Sequence, residues 1–156
     1  LTASQFSDKG TQMRRTSLAM LATSLLLAAP VLAQSTPRSQ QLWTPEGMKR
    51  VATRLAFIWV GDLQYELIQV IADESGIYSN FKDNGGSLHF HHVCTRVPEW
   101  DAFRAAVDQQ DLPVVLERAN EGDLLKFLYL DGRSFCGHYL EYVWMTDERW
   151  AQLGGK

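Results

Sequence analysis

The chain has 156 residues, 46% of them hydrophobic and 21% charged, which is the size and make-up of one globular domain or two small modules sharing a core. Its net charge is −3, and without residues 1–33 it holds 12 basic against 17 acidic groups, or −5. That acidic body carries no basic patch, so no nucleic-acid partner is expected. Cys94 and Cys136 form no CxxC pair and imply no disulfide framework.

Met13-Arg14-Arg15 followed by the apolar run Leu18 to Pro30 and by Val31-Leu32-Ala33 has the pattern of a secretory signal peptide, with cleavage expected after Ala33. The apolar run is far shorter than the roughly 20 residues that span a bilayer, so no membrane association is expected once the leader is removed. The twelve residues before Met13 are read as an upstream extension, from a misplaced or truncated reading frame. The location expected is therefore periplasmic or secreted if the leader is genuine, and cytoplasmic otherwise. Residues 34–50 are polar, with Pro37 and Pro45, and read as a linker.

From Val51 the pattern changes. Arg54–Val60 and Leu63–Ile71 are β-branched and aromatic runs on either side of Gly61-Asp62, which predicts a hairpin. Asp73 to Asn80 is expected to carry a short helix capped by Asp73, and Lys82–Ser87 a glycine-containing loop. His89–Val97 reads as a strand. Pro98-Glu99-Trp100-Asp101 opens a helix whose Trp100, Phe103 and Val107 fall on one face. Strands at Leu112–Arg118, Leu124–Leu130 and Gly137–Met145 follow, with a turn at Asp131-Gly132-Arg133 before the last of them, and Thr146 caps a short terminal helix. From His89 onward the order is strand, helix, strand, strand, strand. The two strands upstream resemble the end of a second such unit.

Two carboxylates stand in the middle of apolar strands, Glu66 between Tyr65 and Leu67, and Glu141 between Leu140 and Tyr142. A carboxylate buried there without a partner costs several kcal/mol or stays protonated, so each needs a reason. Solvent exposure explains one easily, but explains less well why both fall at the same place in repeated units. His91-His92 heads the following strand, and alternation lets only one of the two join the carboxylates. Imidazole with carboxylates suits a divalent Zn, Fe, Mn, Ni or Co with positions left open for water or substrate.

The strings Leu88-His89-Phe90-His91-His92-Val93, Pro98-Glu99-Trp100-Asp101 and Gly137-His138-Tyr139-Leu140-Glu141-Tyr142 resemble the second module of the vicinal oxygen chelate superfamily. That group includes glyoxalase I, methylmalonyl-CoA epimerase, extradiol dioxygenases and bleomycin-resistance proteins. Gly61-Asp62-Leu63-Gln64-Tyr65-Glu66-Leu67-Ile68-Gln69 resembles the closing strand of a first module. The resemblance covers residues 51–145. It implies an α+β fold of βαβββ modules curled into a cup-shaped mixed sheet with flanking helices. Closing strands of an incomplete first module would occupy 51–81, a complete second module 88–146, and a tail 147–156.

By the same resemblance, Glu66, His92 and Glu141 are the metal ligands, and His91 faces the helix side. Glu141 and Glu66 are the catalytic candidates for moving a proton. The implied activity is that of a glyoxalase-like metal-dependent isomerase or lyase, acting on a small oxygen-chelating substrate through an enolate-type intermediate. A fourth ligand is missing because residues 34–50 contain no histidine and are too short for a strand and helix. Truncation, supply by another chain, or a water at that position would each account for it, and a homodimer is the expected assembly. The rival readings are a non-catalytic binding protein of the bleomycin-resistance kind, its pocket lined by Trp59, Tyr65, Tyr129, Tyr139 and Trp144, and a truncated, inactive fragment. Arg96 and Cys94 share parity with His92, and Arg96 and Arg133 are candidate binders of an anionic substrate group.

Overall fold

The computed structural model describes residues 31–33, 36–78, 88–120 and 122–155. Eight strands form one mixed sheet that curls into a half-barrel, with three helices among the described residues. The strands are β1 (Val31–Ala33), β2 (Arg38–Thr44), β3 (Gly47–Val60), β4 (Leu63–Asp73), β5 (His92–Arg96), β6 (Val114–Arg118), β7 (Leu125–Leu130) and β8 (Tyr139–Met145). The helices are α1 (Trp100–Val107), α2 (Arg133–Cys136) and α3 (Asp147–Gln152).

The long β3 carries β4 along one edge and β1, then β2, along the other. The loop Gly61-Asp62 closes the β3–β4 hairpin, and Gly61 takes the positive φ of 63° that tight two-residue turns demand. On the other side β6, β7 and β8 run antiparallel in sequence, and β5 lies parallel to β8 outside them. The halves meet at one antiparallel bridge, Trp43 of β2 opposite Glu117 of β6. The order across the sheet is therefore β4-β3-β2-β6-β7-β8-β5, three antiparallel strands on each side of a seam.

Strand alternation sends one set of side chains to the concave face. Leu42, Val51, Leu116, Phe127, Tyr129, Tyr139, Val143 and Met145 form one buried cluster there, drawn from both halves. The opposite parity of β7 and β8 faces outward, where Leu128 and Leu130 are buried with Trp100 and Val107 of α1. Phe103, Leu140, Tyr142 and Trp144 pack at its border. The α1 stripe is the one expected from its spacing, and Asp101 in its first turn favours the positive end of the helix dipole. Thr146 caps α3 as expected, its side chain accepting from the Arg149 N–H at 3.3 Å. Trp150 of α3 meets Trp59 edge-on at 5.5 Å, and Trp59 Nε1 donates to the Leu153 carbonyl at 2.6 Å, so α3 ties β8 back to β3.

Three expectations change. The stretch read as a linker contains all of β2 and the start of β3, and only Leu42 and Thr44 of β2 are buried, too few to stand out from a polar background. Of the helix expected over Asp73 to Asn80, the described part through Tyr78 is a turn instead, and 79–80 lie outside the described residues. Asp73 Oδ1 accepts from the Ser75 and Gly76 N–H groups at 2.9 and 3.2 Å, and Oδ2 accepts from Tyr78 N–H at 2.9 Å, wrapping the backbone around one carboxylate. Gly76, at φ 74°, breaks any helical run. The Asp131-Gly132-Arg133 turn runs on into the short helix α2. The signal-peptide reading falls on residues outside those described except for Val31–Ala33, which form β1, and the glycine loop at 82–87 also lies outside them. No helix among the described residues is long and apolar enough to cross a membrane.

Candidate metal centre

Glu66, His92 and Glu141 come from β4, β5 and β8 and converge on the concave face. One ligand atom from each lies within 4.8 Å of the others. His92 Nε2 is 2.9 Å from Glu141 Oε2 and 3.3 Å from Glu66 Oε2. Cys94, not His92, sits beside Glu141 in the parallel β5–β8 register, so the imidazole reaches along the strand to meet the carboxylate. Glu66 approaches from the other half of the sheet. No backbone pairing joins β4 to β5 or β8, so the curl of the half-barrel alone brings it there.

The electrostatics are those of a crowded, partly dry site. Burial raises the pKa of Glu66, with the Glu141 charge adding to it and the His92 hydrogen bond opposing it. Burial also works against the His92 cation, but hydrogen bonds and charge from Glu141 and Glu66 outweigh it and carry the imidazole up to about 10. Without a metal, His92 holds a proton on Nε2 toward the two glutamate side chains. Two carboxylate oxygens and one imidazole nitrogen at this spacing also fit a divalent cation, which would take the place of the shared proton.

Tyrosines and the second histidine enclose the triad. Tyr129 lies 5.3 Å from the His92 ring and Tyr139 lies 5.1 Å from His91. The Tyr78 and Tyr129 hydroxyls are 3.2 Å apart, and burial pushes both phenols well above their usual range, so they remain neutral. His91 departs from its expected place on the helix side. It precedes the first paired residue of β5, so strand alternation does not bind it, and its ring stacks on Tyr78 at 4.8 Å within the same cluster. Burial, with the His92 charge, lowers its pKa to about 4.

Of the other residues singled out, Tyr129 and Tyr139 border the triad. Tyr65 and Trp144 have the opposite parity from Glu66 and Glu141; Tyr65 points outward and Trp144 packs with the α1 cluster. Trp59 is engaged with α3. Arg96 pairs with Asp147 at 2.7 Å, with its guanidinium 5.0 Å from the Trp150 ring centroid. Arg133 pairs with Asp131 at 2.7 Å and lies 4.8 Å from the Tyr139 ring centroid. Both arginines are thus engaged within the fold. Cys94 stands on an exposed edge strand, but desolvation of the thiol beside Glu141 pushes its pKa up, so it is no thiolate at neutral pH. Tyr78 was missed in the sequence; the Asp73-Glu74-Ser75-Gly76 turn that delivers it was the available signal. Two surface depressions, one bordered by Arg38, Gln40 and Arg118 and the other by Asp111, Pro113 and Arg133, do not include the triad. The triad carries the perturbed, converging groups, which makes it the stronger candidate.

No protein-family model matches this chain, and no curated protein matches it.

Proposed function

We propose that the chain is a glyoxalase-like, metal-dependent isomerase or lyase of the vicinal oxygen chelate kind. The observation that carries the reading is the convergence of Glu66, His92 and Glu141 from three strands on the concave face. The strand–helix–strand–strand–strand order of β5, α1, β6, β7 and β8, with β5 parallel to β8, supports it, as does the position of Glu66 and Glu141 on the last strand of each half.

In this reading Glu66, His92 and Glu141 hold a divalent cation, of the Zn, Ni, Co, Mn or Fe type. The cation supplies Lewis-acid polarisation of two neighbouring oxygens on a small substrate. Glu66 or Glu141 takes a proton from the carbon next to the polarised carbonyl and returns it to the same or the adjoining carbon. Burial raises the pKa of Glu66 above the usual carboxylate range, which makes it a stronger base than an ordinary glutamate. Tyr129 and Tyr139 give the site an apolar wall that limits water. The reading extends to a homodimer, and to a periplasmic or secreted location where the leader is processed.

The test is metal per chain in protein purified without chelator, with His92→Ala and Glu141→Ala alongside. Near-stoichiometric metal, lost in both variants, is expected. Exchange of a substrate C–H for solvent deuterium, followed by NMR across small hydroxy-carbonyl and oxo-acyl compounds, then reads the proton transfer. Folded protein that holds no metal refutes the enzyme and leaves the non-catalytic binding module in its place.

A further inference from the structure

The adjacent histidines are joined ring to ring. His91 Nδ1 is 3.0 Å from His92 Nδ1, and His91 Nε2 is 3.2 Å from the Ile77 carbonyl oxygen. A carbonyl only accepts, so Nε2 of His91 carries the proton of that bond. A neutral imidazole protonated at Nε2 presents a lone pair at Nδ1. Across 3.0 Å from that lone pair, His92 Nδ1 is the donor. The remaining nitrogen of His92, Nε2, is then the one that can give up its proton, and it is the one facing Glu66 and Glu141.

We propose that His91 is a positioning residue that, through the Ile77 carbonyl–His91–His92 chain, fixes which nitrogen of His92 keeps its proton and which is open to a cation. The proposal rests on the metal reading above. A metal-bound histidine commonly donates its other N–H to a carboxylate, a carbonyl or water. Here a second imidazole takes that part, and the Ile77 carbonyl sets its tautomer. The position of Ile77 is itself fixed, because the Asp73 carboxylate gathers the N–H groups of Ser75, Gly76 and Tyr78 around it. The Tyr78 ring lies within 10° of parallel to His91 and holds its plane. The chain thus runs from the end of β4 through the Asp73 turn to the head of β5, linking the segments that follow and precede two of the three ligands.

The experiment titrates Zn(II) into the full chain against a chromophoric chelator, for wild type, His91→Gln and His91→Phe. Glutamine keeps an acceptor for His92 Nδ1–H and a donor for Ile77, whereas phenylalanine keeps the stacking on Tyr78 and neither bond. His91→Phe is expected to weaken Zn(II) binding about 10- to 100-fold, and His91→Gln to recover most of that loss. Wild-type affinity in folded His91→Phe overturns the proposal, as does His91→Gln no tighter than His91→Phe. A wild-type chain that takes up no Zn(II) overturns the metal reading itself, which separates the two failures. Side-chain ¹⁵N shifts of the metal-free wild-type chain give a readout that needs no variant to fold. A His91 signal of the Nε2–H form supports the chain of bonds, and one of the Nδ1–H form overturns it.

Discussion

The two halves of the half-barrel share a pattern of three antiparallel strands but differ in what covers them. Behind β7 and β8, α1 lays Trp100 and Val107 over Leu128 and Leu130, and the outward face becomes core. Behind β4 the outward residues Leu63, Tyr65 and Leu67 are 59%, 51% and 39% exposed, and no helix among the described residues covers them. The edges differ in the same way. β8 has β5 beside it, while the outer edge of β4 pairs with nothing among the described residues. The concave faces, by contrast, are built alike, each placing one glutamate on its last strand. The site therefore depends on both halves, whereas the burial behind the sheet is concentrated in one. A one-sided sheet gains hydrophobic stabilisation from a single face, so the β6–β8 half carries the larger share.

The sharpest way to break that comparison is to truncate under the helix. Trp100→Ala is expected to cost roughly 3–5 kcal/mol and Leu128→Ala about 2–5 kcal/mol, read from urea unfolding midpoints. Next comes the site shared between the halves. Glu66→Gln and Glu141→Gln should each weaken Zn(II) binding by more than the about 10- to 100-fold typical of losing an outer partner. A loss confined to Glu141→Gln would make the site the property of one half alone.

A smaller effect concerns pH. His92 titrates near 6.5 in an unfolded chain and near 10 when folded, so between those values the folded state binds more protons. Its contribution to the metal-free chain is fully present below about pH 6.5 and lost as pH rises through about 10. Thermal midpoints measured from pH 6 to 10 should fall, and His92→Gln should flatten the curve; a flat wild-type curve would mean the cation does not bridge the halves. The smallest effect expected is Leu67→Ala, within about 0.5 kcal/mol. A cost near that of Leu128→Ala would reveal that the outer face of β4 is covered in solution.

Much of the β6–β8 half was legible in the sequence. The Trp100, Phe103, Val107 spacing gives α1, and alternation in Tyr139–Met145 puts Glu141 inward with Tyr139 and Val143. The same alternation gives Glu66 its side of β4. β2 was not legible, because Arg-Ser-Gln-Gln-Leu-Trp-Thr buries two side chains and owes its strand to pairing with β3. The Asp73 segment misled because an aspartate caps a helix and gathers a tight turn through the same N–H bonds, and Gly76 decides between them only in the folded backbone.

Local pattern, then, determined the strands from Arg54 onward, the main helix and the parity of Glu66 and Glu141, since period-two alternation is a property of neighbouring residues. Tertiary structure decided what those parities meet. Glu66 and Glu141 lie on strands that never pair, and only the curl of the sheet closes their distance to His92. The place of His91 was decided the same way. Sequence alternation sent it to the far side, but it stands outside the paired strand, and the Ile77 carbonyl and the Tyr78 ring, both distant in the chain, turn it toward His92.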